Sequence, residues 1–559
     1  MSLMESQVKT CRNCKKDFTI EPEDFSFYEK MKVCTPEDCP SCRAQLRLSF
    51  RNERTFYKRK CDKCGKEVVS MYSQNKPFTV YCYDCWFADN WGGEDYAMDY
   101  DSSRSFLEQF EELWKKVPKV SLIYVNSPGS EYINISADNK NCYMIVESSN
   151  NEDSINSYWI QECRDVVDTS FASKCELTYE SDDCYNSYKL LYSKGCHDCS
   201  TSYFLTDCRG CSECIGCINL VNKTNYIFNQ PYSKEEYKKI KNNLHLDTYE
   251  GVEAIREKYQ DFILSKPRKF GEVLKTVNST GNYMKNTKNC HLCFHCYDAV
   301  DNKYGVHIWR NAKDTMDCDT AGRNVSLMYN SINAGIDNSN FISGAVCWTC
   351  TFVNYSMYCF NSNNIFGCVG LRKKDYCILN KQYSKEEYEK ISNKIIKELT
   401  DNNFYGNFFL KKLSCFGYNE TPAYEQFPLT KEQAISMGFK WEDTERGTYG
   451  KETKKINQIP NSISDVDFDV SKEIFICESC NKNYKIIPNE FLFYQKLEIP
   501  IPRLCPDCRH KRRIKSRGPN KLWHRTCMKE GCNNEFETSY SPDRPEIVYC
   551  ESCYQKEVY

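Results

Sequence analysis

Short apolar runs alternate with polar stretches through the middle of the chain, and few of these runs are long enough to form helices. YMIV (143–146), KLLY (189–192) and TFV (351–353) are separated by segments rich in Asn, Ser, Tyr and Cys. Cysteines recur nine residues apart at 199, 208 and 217 and again at 350, 359, 368 and 377. This pattern favours stacked short strands, and we predict a parallel solenoid. An irregular antiparallel sheet held together by metal is the alternative.

A few stretches instead have the periodicity and the start signals of helices. Ser233 with Glu236 and Ser384 with Glu387 fit the capping box, which predicts amphipathic helices over about 233–265 and 384–400. A third box, Thr430 with Gln433, predicts a short helix. The acidic aromatic run 106–116 predicts a helical linker.

Two duplications organise the 559 residues. The two ends match at an offset of 466 residues (FSFYEK with FLFYQK, CPSCR with CPDCR), and GCINLVNKTNYIFNQPYSKEEY matches GCVGLRKKDYCILNKQYSKEEY at an offset of 151. The fold class expected is mainly β with short helices, in which two terminal double zinc-ribbon cassettes flank a duplicated, strand-rich middle that forms a solenoid. The segments predicted are a cassette (1–95), a helical linker (96–118), middle repeat one with its C-terminal helix (119–269), middle repeat two with its helix (270–400), a linker with a short helix (401–470) and a second cassette (471–559).

Cysteine is far above its usual frequency, with 37 residues, and at the two ends it falls into CxxC pairs. A CxxC knuckle points two thiolates at one ion, and two knuckles supply the tetrahedral four-sulfur set that Zn²⁺ prefers. Because no export signal is evident at the N-terminus, we expect reduced thiols and a cytoplasmic location. Disulfide pairing is the alternative, and Cys34 falls outside the pattern. The predicted ligands of four structural Zn²⁺ ions are Cys11, Cys14, Cys39, Cys42, Cys61, Cys64, Cys82, Cys85, Cys477, Cys480, Cys505, Cys508, Cys527, Cys532, Cys550 and Cys553.

The cysteines of the middle allow two interpretations. They could form further metal sites, or they could be a column of buried thiols, because free cysteine packs as a small hydrophobe. We favour the column. The cysteines concerned are Cys196, Cys199, Cys208, Cys217, Cys347, Cys350, Cys359 and Cys368. The cluster CHLCFHC (290–296) is a further metal candidate without an obvious second half.

The terminal motifs resemble a known family. CRNCKKDFTIEPEDFSFYEK followed by CPSCR, and CESCNKNYKIIPNEFLFYQK followed by CPDCRHKRR, look like the probable zinc-binding domain of uncharacterised bacterial proteins, with its CxxC, Phe-Tyr and CPxCR signature. The resemblance implies the zinc ligands at the matching cysteines and carries no activity with it.

The net charge is only −2, but basic residues are concentrated beside the CPxCR motifs. Residues 43–60 contain seven Lys/Arg against one acid, and residues 509–525 contain eight against none. Such segments suit phosphate, so we predict a non-catalytic protein that contacts nucleic acid, most simply RNA or the ribosome. Pairing of these segments with the acidic middle of the same chain is the alternative. The predicted contacts are Arg43, Arg47, Arg51, Arg54, Arg509, Lys511, Arg512, Arg513, Lys515 and Arg517.

Other functions are weaker expectations. A protein-interaction scaffold with structural zinc is the alternative, because repeated modules with exposed Tyr and Asn would suit binding to another protein. A zinc-dependent enzyme fits poorly, because all-cysteine sites offer no open coordination position and because the chain contains no phosphate loop, dinucleotide fingerprint or HExxH motif. No apolar stretch of membrane-spanning length is present.

Overall fold

The protein is mainly strand, with short helices near the two ends and after each half of the middle. In a computed structural model of the chain, the structure describes residues 5–444 and 447–558. Residues 1–4, 445–446 and 559, which fall in the predicted segments 1–95, 401–470 and 471–559, lie outside the described residues.

The N-terminal region consists of small hairpins and helices. Its elements are β1 (Gln7–Thr10), β2 (Asp17–Ile20), α1 (Pro22–Met31), α2 (Pro40–Leu48), β3 (Tyr57–Lys60), β4 (Glu67–Ser70), β5 (Val80–Tyr81), α3 (Tyr83–Phe87), α4 (Phe106–Lys116) and β6 (Lys119–Val120). The predicted helix over 106–116 is α4 and is confirmed. It buries Phe106, Phe110 and Leu113 against the second half of the middle.

The first half of the middle, residues 124–264, is built from short strands and two helices. They are β7 (Tyr124–Val125), β8 (Ser136–Ala137), β9 (Tyr158–Gln161), β10 (Ser170–Ser173), β11 (Tyr188–Leu191), β12 (Ser200–Thr206), β13 (Ile215–Ile218), β14 (Tyr226–Ile227), β15 (Gln230–Pro231), α5 (Lys234–Asn243) and α6 (Tyr249–Leu264). One helix predicted over 233–265 is therefore two. The chain turns at His245, whose φ is 47°, and the Thr248 side chain caps the start of α6.

The second half, residues 268–401, has longer strands at its start. They are β16 (Arg268–Lys269), β17 (Val273–Val277), β18 (Gly281–His291), β19 (Cys293–Lys303), β20 (Val306–Met316), β21 (Asp319–Ala321), β22 (Val325–Tyr329), β23 (Ile332–Ala334), β24 (Ser339–Phe341), β25 (Gly344–Ala345), β26 (Thr351–Asn354), β27 (Ser356–Met357), β28 (Asn363–Phe366), β29 (Asp375–Ile378), β30 (Lys381–Gln382) and the helix α7 (Lys385–Asp401). Ser384 and Glu387 form the predicted capping box of α7.

The C-terminal region returns to hairpins and helices. Its elements are α8 (Pro422–Gln426), α9 (Lys431–Ser436), β31 (Phe475–Ile476), β32 (Asn483–Tyr484), α10 (Pro488–Leu497), α11 (Pro506–Arg517), β33 (Trp523–Thr526), β34 (Glu535–Thr538), β35 (Val548–Tyr549) and α12 (Glu551–Val558). The capping box of Thr430 and Gln433 begins α9, as predicted.

Both halves of the middle pair in parallel with a short sequence offset. In the first half the partners lie twelve residues apart, as in Tyr188 with Ser200 and Ser200 with Ser212. In the second half the offset is eleven to thirteen, as in Val273 with Met284 and Val306 with Asp319. Each half ends in an antiparallel hairpin, β14–β15 or β29–β30, which precedes α5 or α7.

A repeat of three residues explains why this backbone accepts so many polar residues. Left-handed φ values recur at every third position, as at Asn150 (57°), Asp153 (50°) and Asn156 (52°). Asn and Asp tolerate this conformation better than other non-glycine residues. Their side chains also form ladders between neighbouring turns, since Asn141 donates to Asp153 at 3.2 Å.

Most residues that follow a left-handed position in the middle are buried, and many of them are Cys, Ser or apolar residues, as at Ser154, Ser157 and Ile160. Cysteine at such a position donates its S–H to two backbone carbonyl groups, two residues before it and nine after it. Cys208 reaches the carbonyl oxygens of Thr206 (3.3 Å) and Cys217 (3.8 Å). Ser181 makes the same pair of contacts with Tyr179 (3.1 Å) and Leu190 (3.3 Å). The thiols therefore pack as small side chains with a hydrogen-bonding role.

The replacement Cys208→Ser should change stability by no more than about 1 kcal/mol, because serine keeps both hydrogen bonds. Cys208→Leu should destabilise the protein by about 1–3 kcal/mol, because the interior leaves no room for the added carbons. The thermal midpoints of the two variants, measured by calorimetry, check this. A larger loss for serine than for leucine would contradict the proposed packing role.

Candidate metal centres

The first four-cysteine group lies between a hairpin and a helix. The β1–β2 hairpin presents Cys11 and Cys14, and its turn is closed by the N–H of Lys15, which has a left-handed φ of 62° and donates to the Cys11 carbonyl (3.0 Å). Cys39 is the N-cap of α2, and Cys42 lies in the first turn of that helix. The hairpin and the helix thus each supply one knuckle.

The sulfur positions fit a tetrahedral metal ion. The Sγ atoms of Cys11, Cys14, Cys39 and Cys42 all lie within 4.8 Å of one another, and Cys14 Sγ is 3.8 Å from Cys39 Sγ. Four thiolates at a Zn–S distance of about 2.3 Å would be about 3.8 Å apart. A disulfide would require a separation of about 2.05 Å. Hence this group suits metal and does not suit a disulfide.

The other three groups repeat this construction. The hairpins are β3–β4, β31–β32 and β33–β34, and the second knuckles are at the starts of α3, α11 and α12. Sulfur atoms in these groups are similarly spaced, with Cys64 Sγ 3.9 Å from Cys82 Sγ, Cys480 Sγ 3.7 Å from Cys505 Sγ and Cys532 Sγ 4.0 Å from Cys550 Sγ. The groups are Cys61, Cys64, Cys82 and Cys85; Cys477, Cys480, Cys505 and Cys508; and Cys527, Cys532, Cys550 and Cys553. The sixteen cysteines predicted as ligands are therefore brought together in four sets of four.

Backbone N–H groups favour the thiolate form in each group. The N–H of Cys82 donates to Cys61 Sγ (3.1 Å), and the N–H of Cys505 donates to Cys477 Sγ (3.2 Å). Burial would raise the pKa of Cys61 and of Cys477, but these backbone hydrogen bonds outweigh it and lower each pKa to about 7. The pKa of Cys39 is lowered to about 5, chiefly by its hydrogen bond with the Cys42 thiol. Other thiols of the same groups have a raised pKa, chiefly through burial, which is about 12 for Cys82 and about 11 for Cys508. The fold therefore favours a thiolate at some positions only, and a bound metal would displace the protons of the rest.

The cysteines of the middle do not assemble in this way. Within the residues that the structure describes, the only sets of three or more Cys, His, Asp or Glu close enough to share an ion are the four terminal groups. The eight middle cysteines considered as weaker metal candidates point inward and are buried, namely Cys196, Cys199, Cys208, Cys217, Cys347, Cys350, Cys359 and Cys368. Most of their thiols donate to backbone carbonyl groups, as Cys350 does to Trp348 (3.3 Å) and Cys359 (3.5 Å). The geometry agrees with the packing interpretation and does not supply a metal site.

The CHLCFHC cluster is divided between two faces of the same strands. Cys290, Cys293 and Cys296 point inward, whereas His295 lies between the two halves of the middle and stacks on Phe171 and Tyr283, each with centroids 4.7 Å apart. Burial, together with the nearby Arg517, lowers the pKa of His295 well below its usual value. The histidine is therefore a neutral ring packed in the interior.

Most of the arginines in and after the first CPxCR motif point into the interior of the protein. Arg43 Nε lies 2.6 Å from Asp317, and Arg47 Nε lies 2.5 Å from Asp319. Arg51, which lies beyond the end of α2, pairs with Glu147 and with Glu53. Arg54 is half-buried. A guanidinium group in such a position is not available to phosphate, so this segment does not form the expected surface.

The C-terminal basic segment is used in the same way. Arg509 pairs with Asp168 (2.9 Å) and Glu490 (2.9 Å), and Arg517 pairs with Asp182 (2.7 Å) and Asp183 (2.6 Å). The remaining buried guanidinium, that of Arg513, lies 3.3 Å from Asp168. The helix ends at Arg517, followed by Gly518 with φ 80° and then Pro519.

Only part of the C-terminal segment reaches solvent. Lys511 and Lys515 are exposed, and Arg512 is half-buried against Glu180. Burial would raise the pKa of Glu180, but the guanidinium groups of Arg512 and Arg256 lower it to about 2. Of the ten residues predicted to contact nucleic acid, two are thus exposed, Lys511 and Lys515, and two are half-buried, Arg54 and Arg512.

Each basic helix contacts the half of the middle that is farther from it in sequence. The N-terminal helix α2 meets Asp317 and Asp319 of the second half of the middle, while the C-terminal helix α11 meets Asp168, Asp182 and Asp183 of the first half. The acidic partners were not predicted as site residues. Three of the five occupy left-handed positions of the three-residue pattern, namely Asp168 (φ 52°), Asp183 (52°) and Asp317 (59°), whereas Asp182 and Asp319 do not.

The aromatic pairs beside the first knuckles also point inward. Tyr28, Phe493 and Tyr494 are buried, and Phe27 is half-buried. Tyr28 packs on Tyr329, and Tyr494 packs on Tyr179. They fill the contact between each terminal region and the middle, so they are core residues. Cys34, the cysteine outside the pattern, joins no metal group.

Comparisons with known proteins identify no family. No protein-family model matches the chain, and no match was found among curated proteins. One solved structure that matches is the crystal structure of a putative acetyltransferase from Desulfovibrio desulfuricans G20. It is 10% identical, the match covers 41% of this chain and 62% of that chain, and the TM-score is 0.10. A likeness this low carries no argument, and the resemblance to the bacterial zinc-binding domain stays a prediction.

No helix among the described residues is long and apolar enough to cross a membrane.

The metal content of the purified chain should be four ions per molecule, because four complete tetrahedral ligand sets are present. Cys14→Ser should lower it to three, since one thiolate is lost from one set. Cys199→Ser should leave it at four. Elemental analysis of the desalted proteins measures this. A value above four, reduced by Cys199→Ser, would show that the middle cysteines also bind metal.

The replacement Arg509→Met should destabilise the protein by about 3–5 kcal/mol, because it leaves the carboxylates of Asp168 and Glu490 buried without this partner. Lys511→Met, on the exposed side of the same helix, is the matched control and should change stability by less than about 0.5 kcal/mol. Thermal unfolding of both variants checks the difference. Equal midpoints for the two would show that the buried pairs do not hold the helix.

Proposed function

We propose that this chain is a non-catalytic protein-interaction scaffold in which structural zinc ions fix the two terminal regions onto a rigid middle. The observation that carries the proposal is the use of the basic helices inside the molecule. Each helix begins at a metal knuckle, and its buried arginines pair with Asp residues of the middle. These charges therefore hold the terminal regions against the middle. A protein built in this way presents its remaining surface to partners.

Zinc is the metal that we propose for the four sites. Four cysteine sulfurs with spacings near 3.8 Å match its preferred ligands and geometry. Such a set leaves no position for water, which supports a structural role and argues against zinc-assisted hydrolysis. At each site the ion would hold a hairpin and the N-terminus of a helix in a fixed relation.

The middle is, in our proposal, a pair of parallel solenoids that arose by duplication. The support is the regular parallel pairing at offsets of eleven to thirteen residues in both halves, and the similar hairpin and capped helix that follow each. Solenoids have extended surfaces that commonly bind other proteins. The reduced thiols expected in the cytoplasm agree with 37 cysteines that are all free of disulfides.

Nucleic-acid binding, our first expectation from sequence, is the less favoured function. Contact between phosphate and Arg43, Arg47, Arg509 or Arg513 would require buried ion pairs to open. Breaking such pairs leaves uncompensated charges in the interior, which is costly. The exposed residues Lys511 and Lys515 alone would give a weak, strongly salt-dependent contact.

Salt-dependent binding to single-stranded RNA separates the two functions. We expect no measurable affinity of the intact chain for a 20-nucleotide RNA in low salt, because the predicted basic contacts are mostly internal. Fluorescence anisotropy of labelled RNA measures this, with Lys511→Glu/Lys515→Glu as the comparison variant. Affinity that falls with salt by about 0.7 per phosphate contact on a log–log scale, and is lost in the variant, would overturn the scaffold proposal in favour of RNA.

A further inference from the structure

The strand β17, which opens the second half of the middle, pairs on one side only. It runs parallel to β18, with Val273 opposite Met284 and Val277 opposite Lys288. Among the residues that the structure describes, no strand pairs with its other side. A free edge presents a row of backbone N–H and C=O groups to which another strand can add.

The other ends of the two halves are covered. The last strands of each half turn back as the antiparallel hairpins β14–β15 and β29–β30, which are followed by helices. In the described part of the chain the first strand, β7, also pairs with one strand only, but it is a two-residue strand, and Tyr83 of the N-terminal region stacks on its Tyr124 with ring centroids 4.3 Å apart. The edge at β17 therefore stands out as the end left open.

Apolar side chains along this edge are exposed. Val277 is 60% exposed and Leu274 is 37% exposed. Val277 lies in register with Lys288 and then Val300, which is itself 36% exposed. Lys288 separates Val277 from Val300, so the exposed apolar residues beside the unpaired backbone are Leu274 and Val277 of β17 itself, and one extended segment could cover them together with that backbone.

The charge around the edge is positive. Lys275 lies between the two exposed apolar residues, and Lys285 and Lys288 lie on the neighbouring strand. All three are exposed, and none has an ion-pair partner among the described residues. Like charges opposite one another disfavour strand pairing. The lysines thus oppose pairing of β17 with the β17 of a second copy and favour a segment of opposite charge.

We propose that β17 binds an extended acidic segment of a partner protein, which adds as a further strand. Main-chain hydrogen bonds to the free edge would supply affinity. Because β17 follows the three-residue repeat, with Lys275 at a left-handed φ of 53°, apolar side chains three residues apart in the partner would lie beside Leu274 and Val277, and acidic side chains between them would face the three lysines. This inference rests on the scaffold function and names the surface and the chemistry of its partner.

Binding of a ten-residue peptide with Val at every third position and Glu at the positions between tests the inference on the intact, metal-loaded chain. Fluorescence anisotropy should show binding in low salt, and the same peptide with Lys in place of Glu should bind at least tenfold more weakly. Leu274→Asp/Val277→Asp should reduce affinity for the Glu peptide at least tenfold. Leu492→Asp is the matched control, because Leu492 is an apolar residue as exposed as Val277 (60%) that lies on α10 and not on β17. The Leu492→Asp variant should bind the Glu peptide with unchanged affinity.

Hydrogen exchange of the unaltered chain provides a second measurement that needs no variant. Amides of residues 273–277 should become protected when the Glu peptide is added, whereas those of the buried strand β13 should not change. Equal binding of both peptides, or no protection of β17 in a chain that retains four metal ions, would overturn the inference and leave the scaffold function standing.

Two other occupants of the edge would also overturn the inference. A dimer in light scattering that becomes a monomer in Leu274→Asp/Val277→Asp would mean that a second copy covers the strand. RNA binding that is lost in Lys275→Glu/Lys285→Glu/Lys288→Glu would assign the lysines to nucleic acid. RNA binding that depends on these lysines would contradict the scaffold function as well, whereas a dimer would contradict only the binding of an acidic segment.

Discussion

The burial of arginines against acidic residues is the interaction on which the rest of this structure depends. Arg43, Arg47, Arg509, Arg513 and Arg517 all lie inside the protein, and each has an Asp of the middle as a partner. A charge removed from water is tolerated only when its partners are accurately placed. The terminal regions must therefore dock in one position. The metal knuckles set that position, since Cys39 and Cys505 are the N-caps of the two helices that carry the arginines.

Cysteine has two unrelated roles in this chain. At the ends, cysteines lie in hairpin turns and at helix starts, where backbone N–H groups hold the sulfurs together. In the middle, cysteines occupy inward positions of a backbone that repeats every three residues. The two cysteines of a CxxC knuckle are also three residues apart. Cys196 and Cys199 therefore have the sequence spacing of a knuckle, although they do not belong to a metal group. The surrounding residues distinguish the two cases, because a knuckle lies in a hairpin turn or at a helix start, whereas the inward thiols need only carbonyl groups that accept their S–H hydrogen bonds.

Much of the architecture followed from local signals. The capping boxes at Ser384 and Thr430 located α7 and α9, the run 106–116 located α4, and the paired knuckles located all sixteen sulfurs of the four metal groups. The break between α5 and α6 was not foreseen, because the continuous charged pattern hides the left-handed turn at His245. The role of the basic segments was also not resolved by their sequence. A run of arginines suits phosphate and aspartate equally well, and both interpretations were consistent with the charge alone.

The sequence by itself determined the four cysteine groups and the starts of the capped helices, because a capping box spans only a few residues and each cysteine group joins a hairpin to a helix of the same terminal region. The tertiary structure alone decided which charges are internal. Arg43 meets Asp317 across 274 residues of sequence, and Arg517 meets Asp182 across 335. Whether a guanidinium group is solvated or buried depends on what the fold brings to it. No local pattern of residues contains that information, since desolvation and pairing are properties of the assembled interior.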